Sequence, residues 1–280
     1  MGRWILVAFL GVAFASVAGD RLVVTGGAQQ LEGSAGGGLV PWALIAGYGT
    51  RDQVGGSAFV TRVRTNDFDL TAGGLAVGLF DRVELSLARQ RFDAGAVVPG
   101  LVLRQDIVGA KWRVAGDALY DQDSPWPQVA LGLQHKRNRD MAIPEALGAK
   151  RGSDTDLYAA FTKLWLAGFA GRNVLANLTV RSTRANQMGL LGFGGDKEDR
   201  RRLEAEGSVA LMLGDRLAVG AEYRGKPDNL SALREDDFSD VFVAWFPNKR
   251  VAVTLAWTRL GSIAGLGGQE GAYLSVQLTD

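Results

Sequence analysis

Hydrophobic and polar residues alternate at every second position over long stretches of this chain. In the clearest example, Glu84 and Ser86 separate the apolar residues Val83, Leu85 and Leu87. A period of two residues places successive side chains on opposite faces of a strand. The pattern therefore predicts β-strands with one apolar and one polar face. It recurs over residues 203–213, 217–224, 251–257 and 273–278.

Two kinds of connection alternate between these strands. Short turns occur at Asp81-Arg82, Asp215-Arg216 and Asn248-Lys249-Arg250, and long polar loops occur at 137–156, 186–201 and 225–240. Short turns at one end and long loops at the other are typical of outer-membrane barrels. We therefore predict an all-β fold, an antiparallel transmembrane β-barrel with short periplasmic turns and longer extracellular loops. A soluble exported β-sandwich also shows such alternation and is the alternative fold.

The number of strands follows from parity. The segments that alternate clearly start near Leu39, Val54, Phe68, Val83, Leu101, Gln128, Thr155, Asn173, Arg201, Arg216, Asp240, Val251 and Gly271. A bacterial barrel of a single chain has an even number of strands. The segment Asp20–Gly27 supplies a candidate first strand, with Ala28–Gly38 as its outer loop. We favour about 14 strands, and 12 is possible if two of the segments are loop hairpins.

Aromatic residues recur near the predicted strand ends. Aromatic rings favour the boundary between membrane and water, so we expect them to form belts at both rims of the barrel. The residues concerned are Phe80, Trp126, Trp165 and Phe246 at the turns, and Phe68, Phe92 and Phe238 at the loops.

The N-terminus has the layout of an export signal. Arg3 precedes an apolar run from Trp4 to Phe14, and small residues end at Ala18. This order predicts a signal peptide over residues 1–18 and a barrel domain over residues 19–280. The chain has 0 Cys residues, so disulfides and zinc–thiolate sites are excluded. The formal net charge of +1 excludes binding to nucleic acid by long-range attraction.

Several unusual strings carry a family resemblance. They include "EGSAGGGLVPWALIAGYGTRDQ", "VGLFDRVELSLARQRFD", "RANQMGLLGFGGD" and "VAWFPNKRVAVTLAW", and together they reach from Glu32 to Trp257. With them the chain resembles a proteobacterial family catalogued as domain of unknown function 3034. The resemblance implies an exported, barrel-like protein of the Gram-negative outer membrane. It implies no activity, and no catalytic or binding residue can be carried over from it.

Charged and amide side chains share the polar face of the predicted strands. In a barrel this face lines the lumen, because charged residues avoid lipid. The lumen-lining candidates are Glu84, Lys111, Arg113, Gln128, Gln134, Lys136, Arg181, Glu204, Glu206, Glu222 and Arg224. Facing acidic and basic rows can discriminate among polar solutes, whereas charges that pair across strands can equally fill a closed interior.

Two functions remain open on these grounds. The first is a passive, porin-like channel for small polar or amphipathic solutes. The second is a non-conducting structural barrel whose outer loops bind lipopolysaccharide or a partner. A lipid-acting enzyme would need His135, the one histidine, to meet a serine such as Ser182 or Ser208. Since no serine lies in a recognisable catalytic motif, we expect no enzyme activity.

The expected partners follow from the location. We expect outer-membrane lipids, lipopolysaccharide and the barrel-assembly machinery as partners, and neither a metal ion nor another cofactor. Acidic loop segments at 192–199 and 234–240 could hold a divalent cation that bridges to lipopolysaccharide phosphates. Charged loop tips are more often simply solvated.

Overall fold

The computed structural model describes residues 28–280. Within this range, twelve long antiparallel strands form one closed barrel, in which the last strand pairs with the first. The prediction of an all-β barrel is confirmed, with the lower of the two strand numbers. The barrel strands are β3 (Val54–Thr65), β4 (Asp69–Leu79), β5 (Val83–Asp93), β6 (Val102–Ala115), β7 (Gln128–Asn138), β8 (Ser153–Phe169), β9 (Arg172–Thr183), β10 (Arg202–Gly214), β11 (Leu217–Arg224), β12 (Phe238–Asn248), β13 (Val251–Arg259) and β14 (Glu270–Thr279).

Within residues 28–280, four short elements are not part of the barrel wall. The strands β1 (Ala28–Gln29) and β2 (Ala35–Gly36) pair with each other in a separate small sheet. A helix, α1 (Ala142–Ala146), and a 3-10 turn (Asn186–Gly189) lie in long loops. No helix within residues 28–280 is long and apolar enough to cross a membrane.

The connections differ between the two ends of the barrel. At the turn end, which is periplasmic in outer-membrane barrels, most connections have two or three residues, and that between β6 and β7 is longer, at 116–127. Asp81 has a φ of 51° there, in the left-handed region that tight hairpins require. The loop end carries the long connections 94–101, 139–152, 184–201, 225–237 and 260–269.

The outer surface of the wall is apolar. On β14, Leu274, Val276 and Leu278 are exposed, whereas Ser275 and Gln277 between them are buried. Nine other strands repeat this pattern with Leu75, Leu85, Leu87, Val108, Leu131, Leu133, Leu157, Leu178, Val209, Val241, Val243 and Leu255. Soluble proteins rarely expose a continuous apolar belt of this size. The belt matches the lipid-facing band of a membrane barrel.

The prediction of an aromatic belt at each rim is correct for part of the turn end and wrong for the loop end. Phe80, Trp126 and Trp165 are exposed near the turn end. The prediction was wrong for Phe68, Phe92, Phe238 and Phe246, which are all buried inside the barrel. Strand alternation decides whether a side chain faces inward or outward, and closeness to a rim does not.

The N-terminal part of the chain differs most from the prediction. No barrel strand starts at Leu39, and Ala28–Gly38 is not an outer loop, because both lie inside the barrel. Without the segment at Leu39, twelve of the thirteen predicted segments remain, which is the even number of strands found in the barrel. The predicted signal peptide and the candidate strand Asp20–Gly27 lie outside the described residues.

Candidate functional site

Residues 28–49, called the plug segment below, occupy the lumen. Every residue from 29 to 49 is buried. The segment leaves the lumen at the turn end, where the backbone N–H of Tyr48 donates to the carbonyl of Asp280 at 3.0 Å. The lumen is therefore filled by the chain's own N-terminal region.

Glycines allow this segment to fold tightly against the wall. A Cβ on Gly37 would lie 1.9 Å from Oε1 of Glu222, and one on Gly36 would lie 2.2 Å from the carbonyl oxygen of Val40. At Gly36 the neighbours are backbone atoms, so a side chain has no room there, whereas a side chain at Gly37 would force the Glu222 carboxylate to move. The run of glycines at 36–38 thus marks a close backbone approach inside the barrel.

A buried ion pair anchors the plug segment near the turn end. Nζ of Lys111 lies 3.0 Å from Oε2 of Glu84, with both side chains inaccessible to water. Lys111 also donates to the carbonyls of Ala35 at 2.9 Å and Leu44 at 2.6 Å. Glu84 accepts from the backbone N–H of Ala35 at 3.1 Å and of Ala46 at 2.9 Å. The pair thus satisfies backbone groups of the plug that would otherwise be buried without partners.

A second anchor lies in the loop-side half of the lumen. Three cations of the wall, called the three-cation pocket below, surround the plug residue Glu32: Lys136, Arg181 and Arg224. Arg224 lies 2.9 Å from a Glu32 oxygen and Arg181 lies 3.7 Å away, while Lys136 is in direct contact. Removing one partner of such a buried pair leaves an uncompensated charge, which is strongly destabilising.

Two carboxylates of the wall share the same cations. Glu206 lies 2.5 Å from Arg181 and 3.4 Å from Arg224. Asp156 lies 2.7 Å from Lys136 and 3.6 Å from Arg181. The wall alone therefore carries three positive and two negative charges here, and the plug supplies the third carboxylate.

A further carboxylate of the wall, Glu222, holds the middle of the plug segment. It accepts from the backbone N–H of Leu39 at 2.8 Å and from Oγ of Ser208 at 2.7 Å. Ser208 in turn accepts from the indole N–H of Trp42 at 2.9 Å. The plug is thus attached at several heights by polar groups of the wall.

The remaining lumen-lining candidates have different surroundings. Gln128 donates to the carbonyl of Ala43 at 2.7 Å, and Gln134 donates to Gln30 at 3.2 Å. Arg113 is buried at the turn end beside Asp81 and Asp117, and it lines a small cavity together with Leu44 of the plug segment. Glu204 is only partly buried, near the loop end, 3.8 Å from Arg202.

The candidates, taken together, face inward, but most of them contact the plug segment or one another rather than an open passage. Sequence reasoning missed Asp156 and Glu32. Asp156 shares the inward parity of Tyr158 and Thr162 on β8 and could have been found by it. Glu32 could not, because its segment was assigned to an outer loop.

Above the plug, towards the loop end, lies a cavity of about 50 Å³, called the outer chamber below. Its floor contains Leu31 and Leu39 of the plug. Its lining is apolar apart from Thr65, Gln187 and Thr258. Apolar side chains of strands and loops form its wall and roof, among them Phe68, Phe92, Leu103, Met188, Phe238 and Ile263.

Outer loops close the chamber and hold each other. Gln187 and Met188 have φ values of 46° and 60°, which are costly for residues other than glycine. The N–H of Gln187 donates to Glu235 at 2.9 Å, and its amide donates to the carbonyl of Ser262 at 2.9 Å. Lys226 lies 2.9 Å from Glu235. Burial raises the pKa of Glu235 and lowers the pKa of Lys226, so desolvation opposes the charge of this loop pair.

The residues considered for an enzyme do not assemble. His135 faces outward and its Nδ1 lies 2.9 Å from Oγ1 of Thr155. Ser208 faces the interior, and Ser182 lies on β9, separated from β7 by β8. The loop acids make ion pairs instead of a cluster, and residues 28–280 contain no group of three or more potential metal ligands.

Comparisons with known proteins agree on the fold. Residues 25–277 match the profile of a family described as "Protein of unknown function (DUF3034)". No curated protein sequence matches the chain. Among solved structures, KdgM porin is similar with a TM-score of 0.50 and 9% identity, over 79% of this chain and 98% of that one.

Two further structures are similar at lower scores. Omp33 of Acinetobacter baumannii has a TM-score of 0.43 and 10% identity, over 81% of this chain and 97% of that one. Outer membrane phospholipase A from Escherichia coli has a TM-score of 0.43 and 10% identity, over 79% of this chain and 89% of that one. At such identities the likeness concerns the fold, that of an outer-membrane barrel.

Proposed function

The chain belongs to the DUF3034 family, and we propose that this member is a gated channel of the outer membrane for small solutes, closed in the described state by the plug segment. The observation that carries the proposal is the polar attachment of the plug to the inward-facing charges of the wall. The passive, porin-like channel expected from the sequence is thereby refined. Passage along the lumen requires the plug segment to move or rearrange.

Polar attachment suits a plug that can leave. When a polar contact inside the lumen breaks, water can enter and replace the lost partner, so the net loss is about 0.5–1.5 kcal/mol for an ordinary hydrogen bond and about 1.5–3 kcal/mol for one to a charged group. The loss of an apolar contact has no such compensation. Gln30, Glu32 and Ser34 make polar contacts with the wall through side chains that water also solvates. Other plug residues, such as Leu31 and Leu44, pack in the apolar core with wall residues.

A second candidate function is a non-conducting barrel whose loop end binds lipopolysaccharide. It is favoured by a group of arginines on the outer loops, where Arg151, Arg184 and Arg201 form ion pairs with two carboxylates of the described residues, Asp154 and Asp199. Arginine binds phosphate groups in a bidentate manner. Weaker binding of Arg201→Gln to lipopolysaccharide micelles, in a protein without conductance, would support this candidate.

Single-channel conductance of the refolded protein in a planar bilayer tests the channel. We expect long closed periods interrupted by discrete openings, because the plug segment fills the lumen at rest. A steady open current would exclude a plug that closes the lumen. Silence from protein that shows the heat-modifiable gel migration of a folded barrel would favour the second candidate.

A further inference from the structure

The three-cation pocket lacks one anion when the plug segment is considered apart from the wall. Lys136, Arg181 and Arg224 are buried, and among the described residues of the wall only Glu206 and Asp156 lie within ion-pair distance of them. A buried cation without a partner is costly. Water that enters with the displaced plug replaces a charged partner only in part, so the open state costs least when another monoanion takes the place of Glu32.

The outer chamber adjoins this pocket directly. Leu31, which lines the chamber, precedes Glu32 in the chain. The carbonyl of Leu39, also in the chamber floor, accepts from Arg224 at 3.1 Å. Phe238 of the chamber wall is the cross-strand partner of Arg224. An apolar space and a site for one negative charge are thus adjacent along the lumen.

We propose that the lumen binds small amphipathic monocarboxylates, with the apolar part in the outer chamber and the carboxylate in the three-cation pocket, where it takes the place of Glu32. In this arrangement Glu32 is an internal stand-in for the ligand's carboxylate. Ligand binding releases one anchor of the plug segment. The inference deepens the proposed function, on which its role in gating rests, whereas binding itself can be measured separately.

The chemistry of the two parts selects this class of ligand. A sugar would lose its hydrogen bonds to water in the apolar chamber without regaining them. A neutral apolar molecule would leave the pocket one anion short. The chamber in the closed state admits only a short chain or the edge of a ring, and withdrawal of Leu31 and Leu39 with the plug would enlarge it.

If Glu32 competes with the ligand for the pocket, removal of its charge should raise the affinity for the ligand. Because Glu32 is tethered, it competes at a high effective concentration. Glu32→Gln removes the competing charge and leaves the pocket with one excess cation. We expect hexanoate to bind Glu32→Gln about tenfold or more tightly than the natural protein, since a charged hydrogen bond is lost from the competitor.

The experiment is isothermal titration of the full chain in lipid nanodiscs with hexanoate, 1-hexanol and hexylammonium. We expect hexanoate alone to gain affinity in Glu32→Gln. The double variant Glu32→Gln/Arg224→Gln restores charge balance, with two cations facing two carboxylates, and should lose the gain. Glu204→Gln is the matched control, because its carboxylate lies outside the cluster, and it should bind hexanoate like the natural protein.

The results separate the two proposals. Equal affinity for hexanoate and hexanol, or no gain in Glu32→Gln, would overturn the ligand inference even if the protein conducts. Selective hexanoate binding that the double variant abolishes would support it. The same binding in a protein that never conducts would leave the ligand site in place and refute the channel.

Discussion

Gly36→Ala should loosen the plug segment without touching the wall. A Cβ at this position would lie 2.2 Å from the Val40 carbonyl oxygen, 2.8 Å from Cα of Pro41 and 2.9 Å from the backbone nitrogen of Trp42, all of which belong to the plug itself. Because these are backbone atoms, they cannot turn aside like a flexible side chain. The substitution must break the contacts by which the plug folds on itself, such as the hydrogen bond from Trp42 N–H to the Ala35 carbonyl at 3.1 Å.

The size of the effect follows from the cost of overpacking. Extra atoms forced into a well-packed site typically cost about 1–3 kcal/mol. If that cost falls on the closed state alone, the ratio of open to closed channels rises about 5- to 150-fold. The open probability in single-channel recordings measures this ratio directly.

A matched glycine of the wall serves as the control. A Cβ on Gly207 would meet only the Asn177 carbonyl oxygen, at an ordinary 3.6 Å, so Gly207→Ala should leave the open probability unchanged. An unchanged open probability in correctly folded Gly36→Ala would refute the reasoning. So would an equal increase in both variants, because the effect would then not depend on the plug.

Two further predictions concern stability and enzyme activity. Lys111→Met should lower the stability of the folded barrel by about 3–5 kcal/mol, because it leaves Glu84 buried without its cation, and the midpoint of heat-modifiable gel migration measures this loss. Lys111→Met combined with Glu84→Gln should recover part of the loss, because the unpaired charge is removed while the Ala35 and Leu44 carbonyls still lack their donor; equal losses would contradict the account. His135→Ala should leave conductance unchanged, and neither form should hydrolyse phospholipid vesicles; hydrolysis that the substitution abolishes would restore the enzyme hypothesis.

The wall of the barrel was predictable because its constraint is local. The side chains of a membrane strand must alternate between the lipid-facing and the inward-facing side. Five residues therefore suffice to assign Val83, Leu85 and Leu87 to the lipid-facing side. The short turns at Asp81 and Asp215 then set the hairpins. The inward direction of most candidate residues followed from the same alternation.

The plug and the outer chamber were not predictable in this way. The run from Leu39 to Tyr48 is rich in apolar residues and looks like a strand, although Pro41 and three neighbouring glycines suit an irregular path. The chamber assembles from residues as distant in sequence as Leu31, Phe92 and Ile263. Only the closed barrel brings these residues together, so no local sequence pattern could predict the outer chamber.

The most direct test of a movable plug uses the natural absence of cysteine from the chain. Ala35 of the plug and Ala76 of β4 lie in one small apolar cluster, so the double variant Ala35→Cys/Ala76→Cys introduces a single pair of thiols. With the disulfide verified by mass spectrometry, we expect the oxidised protein to stay closed in a planar bilayer. Reductant should restore discrete openings in the same membrane. Openings that persist in the oxidised protein would contradict gating by the plug segment.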